Sequence, residues 1–150
     1  MGLVRVAPVG GGRALEYFMT ISLKPAVAVS PSPHVGASPV LDLVHLSLQS
    51  LGDRALETEL LRLFDRQGRQ VMERLCGETG RGERRWLGDL AHTLKGSARA
   101  VGAGRVALAA QDYEDALAHS SDSDVEKRLN ALAASVAEAR AAIRDLLQDA

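Results

Sequence analysis

The chain has 150 residues, enough for a single domain to bury a core without disulfide or metal. Its apolar fraction of 46% rests on 45 Ala and Leu residues, with aromatics at only 3%, a composition that favours helix over sheet. A net charge of -1, from 18 basic and 19 acidic residues, excludes the bulk excess of Lys and Arg on which general nucleic-acid and anionic-membrane binders depend.

All five prolines (Pro8, Pro25, Pro31, Pro33, Pro39) fall in the first 39 residues, together with the Gly10-Gly11-Gly12 run. Residues 1–39 are therefore expected to form a Pro/Gly/Ser-rich disordered tail, and residues 40–150 the folded domain. No stretch of roughly 20 apolar residues is present to span a membrane, and no convincing signal-peptide core precedes the domain. The single cysteine, Cys76, rules out a disulfide framework and a cysteine-based zinc site. It is expected to be a small packed hydrophobe. A cytoplasmic protein is the expectation.

Beyond residue 40 the glycines punctuate helical text: Gly52, then Gly77, Gly80 and Gly82, then Gly102 and Gly104. A short helix over about 41–51 is followed by four longer ones at 54–76, 83–101, 104–119 and 123–147. In the second, Leu56, Leu60, Leu63, Phe64, Val71 and Leu75 recur at helical spacing, interrupted by a polar gap at Gln67. In the last, Val125, Leu129, Leu132, Val136, Ala139, Ile143 and Leu146 make one stripe, with Ser121 or Ser123 placed to cap its start. Short links between amphipathic helices give antiparallel neighbours. The expected fold is all-α, an antiparallel up-down four-helix bundle with a short N-terminal cap helix.

The third helix, 83–101, carries the chemistry. Its apolar set (Leu87, Leu90, Ala91, Leu94, Ala98, Val101) centres roughly 155° from His92 at 100° per residue, so His92 faces solvent. Lys95, Gly96 and Arg99, at +3, +4 and +7, are expected to share its face. Lys95 would put an ammonium one turn from the imidazole, where it could hold phosphoryl oxygens. Gly96 costs about 1 kcal/mol relative to Ala within a helix, which points to a need for close approach by a macromolecule. If this helix and the next pair about a turn at Ala103, His92 lies eleven residues before it and Glu114 eleven after. Glu114 would then accept one imidazole N–H and leave the other nitrogen nucleophilic.

The run His92-Thr93-Leu94-Lys95-Gly96-Ser97-Ala98, with Gly102 ten residues after the histidine and Glu114 at +22, resembles the histidine phosphotransfer (HPt) domains of multistep phosphorelays. The resemblance covers about residues 40–148. Arg99 stands where that family usually has a small residue, and Tyr113 where an aliphatic is more typical. The resemblance implies that His92 accepts a phosphoryl group from the aspartate of a receiver domain and passes it to another receiver. It further implies Lys95 as phosphoryl stabiliser, Glu114 as orienter of the imidazole, Gly96, Ser97 and Arg99 as the partner-binding surface, and Gly102 as a structural turn. Implied partners are response-regulator receiver domains and a histidine kinase, hybrid or not. The chain would bring no cofactor or metal of its own, Mg²⁺ being expected on the receiver.

Two other readings use the same residues. The phosphoacceptor and dimerisation hairpin of a histidine kinase also places a His on a bundle helix, but it prefers an acidic residue after the His and an Arg-Thr-Pro run, which Thr93, Lys95 and Gly96 do not match. A non-catalytic helical interaction bundle would need the chemistry to be missing a part, and none is missing. No GxxxxGK[ST] loop supplies ATP chemistry, so the expectation is a carrier acting with receivers, as a monomer, rather than an autonomous ATP-using enzyme. His34, His45 and His119 lack comparable context. Residues 81–105 hold six basic residues (Arg81, Arg84, Arg85, Lys95, Arg99, Arg105) against Glu83 and Asp89, so a locally positive face is expected around His92.

Overall fold

Side chains that satisfy the open backbone N–H groups set where most of the helices begin. In the computed structural model, which describes residues 38–77 and 83–149, the described residues form five α-helices and no strand. These are α1 (Leu43–Gln49), α2 (Arg54–Cys76), α3 (Arg84–Ala100), α4 (Gly104–His119) and α5 (Asp122–Gln148). The expected tail, apart from its last two residues, lies outside the described residues, as do Gly80, Arg81 and Gly82.

Asp42 caps α1 by accepting from His45 N at 2.9 Å, and Asp53 caps α2 by accepting from Ala55 N and Leu56 N at 3.0 and 3.1 Å. Ser121 rather than Ser123 caps α5, accepting from Asp124 N. No side chain caps α3. Its first residue, Arg84, instead reaches the α4–α5 turn, donating to Leu117 O at 2.9 Å and Ser120 O at 3.1 Å and pairing with Asp122. This fastens the free end of α3 to the far end of its hairpin partner.

Each long helix packs on two others: α2 on α3 and α5, and α4 on α3 and α5. The α3–α4 packing is the most extensive and is made by small residues, with Ala91 and Ala98 of α3 and Ala107 and Ala110 of α4 all buried. The residues that meet across this pair, 84 with 117 and 95 with 111, run in opposite order, as the three-residue link requires. The core also takes Leu60, Phe64, Val71 and Leu75 from α2 and Leu132, Val136, Ala139 and Ile143 from α5. The stripe expected on α5 is fully buried only over this stretch, Val125, Leu129 and Leu146 being half-buried.

The gap read at Gln67 has its reason in the next residue. Gly68 is buried, and a Cβ there would stand 3.3 Å from Val136 Cγ1 and 3.6 Å from Arg140 Cδ, so the missing side chain lets α5 approach. Beside it Arg140 Nε donates to Asp65 Oδ1 at 2.8 Å. Cys76 is exposed, contrary to expectation, because Leu75 takes the core-facing place at the end of α2.

Gly102 connects the fold to the site. Ala103 N donates to Ala98 O at 2.8 Å and Gly102 N to Arg99 O at 3.3 Å, the paired bonds of a Schellman turn, with Gly102 at φ 77°. Asp42 N donates to Gly102 O at 2.8 Å, and a Cβ on Gly102 would lie 2.5 Å from Asp42 O. The glycine thus ends α3, turns the chain into α4, and admits the backbone that leads into α1.

Candidate functional site

The α3–α4 hairpin brings together three of the residues singled out from the sequence. His92 stands out into solvent, its side chain 68% exposed, and its Nδ1 lies 3.1 Å from Glu114 Oε1. The count of eleven residues on either side of Ala103 thus puts Glu114 where the structure has it, beside His92. In the neutral ring a carboxylate partner favours the tautomer in which Nδ1 carries the proton and donates, and Nε2 then keeps its lone pair.

Lys95 departs from expectation. It does not lie open beside His92: the residue is 7% exposed, and its Nζ donates to Glu114 Oε2 at 2.6 Å and to Gln111 Oε1 at 2.8 Å. On the helix wheel +3 is about 60° from His92, toward α4, and a long aliphatic stem lets the ammonium sink along that helix while its head finds acceptors. The two oxygens of Glu114 are thereby divided, Oε1 to the imidazole and Oε2 to the lysine. Burial pushes the Glu114 carboxyl up, but the hydrogen bonds from Lys95 and His92, with their charges, together outweigh it and hold the carboxyl below its ordinary value. Glu114 is consequently ionised at neutral pH.

Ser97, expected on the partner-binding surface, is 2% exposed and donates its Oγ to Thr93 O at 3.0 Å. Five residues from His92 it has turned toward the core, and it is corrected to a packed residue. Gly96 is half-buried and Arg99 exposed, both one or two turns beyond His92. Tyr113, next to Glu114, is buried in the core, and burial first, then the neighbouring Cys76, pushes its hydroxyl up.

The locally positive face is also altered by the fold. Arg84 is paired with Asp122, Lys95 with Glu114 and Arg105 with Glu138, so the net charge of the segment overstates what a partner meets. Arg85 and Arg99 remain as exposed cations without a described ion-pair partner. Among the described residues no group of three or more His, Cys, Asp or Glu could hold a metal ion, and no helix is long and apolar enough to cross a membrane. His45 lies in α1, and His119 lies at the end of α4 with its Nδ1 3.2 Å from Asp115 O.

One residue of the cluster escaped the sequence reading. Gln111 receives Lys95 and donates from Nε2 to Asp115 Oδ1 at 2.9 Å. The signal for it was present: Lys95 lies eight residues before Ala103 and Gln111 eight after, so the same count that pairs His92 with Glu114 pairs these two.

No curated protein and no solved structure matches the chain. The family model of the Hpt domain matches residues 59–149, more than half of the chain, and takes in α3, α4 and α5 with the whole His92–Glu114–Lys95–Gln111 cluster. On this match the chain belongs to the Hpt domain family, the histidine phosphotransfer modules of phosphorelays.

Proposed function

We propose that His92 is the phosphoacceptor, taking a phosphoryl group from the aspartyl phosphate of one receiver domain and passing it to the aspartate of another. The observation that carries this reading is the bond between Glu114 Oε1 and His92 Nδ1 on an otherwise exposed imidazole. The Nε2 lone pair attacks phosphorus, the P–N bond forms, and the P–O bond to the receiver breaks with the aspartate carboxylate leaving. The ring gains positive charge in this step, and the ionised Glu114 beside Nδ1–H offsets it. The onward transfer is the same displacement in reverse on a second receiver.

Lys95 spends two of its three N–H bonds on Glu114 and Gln111 and keeps one for phosphoryl oxygens. Gly96 leaves room for the receiver, and Arg99 supplies an exposed cation at the edge of the contact. Gly102 holds the hairpin turn. Mg²⁺ belongs to the acidic pocket of the receiver, and the chain acts as a carrier with no ATP chemistry of its own, working downstream of a hybrid histidine kinase. We further propose that α2 to α5 form the antiparallel up-down bundle of the family, with α1 as its cap, and that the chain works as a cytoplasmic monomer.

The test is transfer from labelled phospho-receiver in the presence of Mg²⁺. The wild-type chain is expected to gain acid-labile, alkali-stable phosphate and His92→Gln to gain none at unchanged helicity. Undiminished labelling of the variant removes His92 from the mechanism, and labelling by ATP alone transfers the chain to the kinase-hairpin reading.

A further inference from the structure

A buried ammonium is costly unless acceptors replace the water it gives up. The Lys95 side chain is 8% exposed and meets two described acceptors, Glu114 Oε2 and Gln111 Oε1. Gln111 is itself oriented: its Nε2 donates to Asp115 Oδ1, one turn further along α4, which turns its oxygen toward Lys95. The result is a chain of bonds, Asp115 to Gln111 to Lys95 to Glu114 to His92, running across the α3–α4 hairpin.

We propose that Gln111 is a positioning residue for phosphotransfer: it holds the Lys95 ammonium on Glu114 Oε2, and so keeps the opposite carboxylate oxygen aimed at His92 Nδ1. The physical reason lies in the lysine's freedom. With one of its two described acceptors gone, a side chain with four rotatable bonds gains by swinging its charge into water. Glu114 would then be held only by the exposed imidazole, and a carboxylate with one loose partner rotates. His92 would lose its fixed Nδ1–H tautomer, and the nucleophilic Nε2 would be available for a smaller share of the time. The ionisable groups that meet Glu114 are Lys95 and His92 from α3 and, along its own helix, Asp115 behind Gln111. From α5, the other helix packed on α4, Glu138 pairs with Arg105 and Arg128 with Asp112.

This inference rests on His92 being the reacting residue, but its test needs no phosphoryl group. The full chain and the variants Gln111→Met, Lys95→Met and the double substitution are compared by carboxyl ¹³C titration of Glu114 and by ¹⁵N shifts of the His92 ring. Gln111→Met keeps the length and helix preference of the side chain and removes only the acceptor; Gln111→Ala serves as the second variant should Met perturb folding.

Gln111→Met is expected to raise the Glu114 midpoint by about half a pH unit and to lower the Nδ1–H share of the neutral ring several-fold. Lys95→Met should move both further in the same direction, and the double variant should match Lys95→Met alone. Unchanged Glu114 and His92 signals in folded Gln111 variants overturn the proposal. So does a shift of the same size with and without Lys95, since Gln111 would then not act through it. If phosphotransfer occurs at His92 while these signals stay fixed, the positioning role falls and the function stands. If the signals move while His92 takes no phosphate, the positioning stands and the function falls.

Discussion

At the level of single residues, the site turns on how Glu114 divides its two oxygens. A glutamine at this place could accept from Nδ1–H as well, but it could not balance the charge of a buried lysine. Glu114 does both, and its carboxyl is held below its ordinary value as a consequence. A carboxyl depressed in the folded state adds stability that is complete above its unfolded-state value and disappears as pH falls through the lower folded one. The stability gap between the wild-type chain and Glu114→Gln is therefore expected to be present at pH 7 and to close below about pH 4. Urea unfolding at both pH values checks this, and a gap independent of pH would show that Glu114 stabilises by shape alone. His92, Glu114 and Gly102 were legible in the sequence because helical period and a count about one turn fix their heights. The burial of Lys95 and Ser97 was not, because the wheel gives the direction of a Cα–Cβ bond and not where a long side chain ends or how wide the contact with α4 is.

Among the elements, the two Schellman turns make a matched pair. After α3 the left-handed place is Gly102 at φ 77°; after α1 it is Leu51 at φ 56°, with Gly52 N donating to Ser47 O at 2.9 Å. Leu51 is 90% exposed, so its side chain contributes almost no burial while its backbone sits in the region that costs L-residues about 1–2 kcal/mol. Leu51→Gly is accordingly expected to stabilise the protein by about 0.5–1 kcal/mol, after allowing for the freer unfolded chain. The reverse holds at Gly102. Gly102→Ala meets both the left-handed penalty and the Asp42 carbonyl, whose oxygen would lie 2.5 Å from the new Cβ. A loss of about 2–4 kcal/mol is expected, together with release of the α1 end from the hairpin. Thermal unfolding of the two variants should move in opposite directions; a neutral Gly102→Ala would contradict the close packing of residue 42. The helix boundaries were readable to within one or two residues because caps and glycines mark them. The role of Gly68 was not readable, since a glycine in mid-helix signals a close approach without naming Val136 and Arg140 as the neighbours.

Across the whole molecule, the near-neutral total conceals an arrangement of charge that folding changes again. The sequence places six basic residues around His92, yet Arg84, Lys95 and Arg105 are each paired with an acidic residue of α4 or α5. Among the described residues of that segment Arg85 and Arg99 are the exposed cations left without an ion pair, and Arg99 is the one on the His92 helix beyond the histidine. Steering by exposed charge acts on association rates and is screened by salt, whereas paired charges contribute little. Arg99→Ala is expected to slow receiver association several-fold at low ionic strength and to flatten its salt dependence, with Arg105→Ala close to wild type. Stopped-flow binding over a salt series reads both, and equal effects of the two variants would show that pairing with Glu138 does not shield Arg105.

Phosphotransfer by this site turns on one atom of His92. With Nδ1 held by Glu114, the proposed transfer puts the phosphoryl group on Nε2 of His92. Heteronuclear ³¹P–¹⁵N NMR of the chain after transfer from a phospho-receiver identifies the nitrogen directly. Coupling of phosphorus to His92 Nε2, absent in His92→Gln, is the predicted result; phosphorus on Nδ1, on another residue, or nowhere in the chain would contradict it.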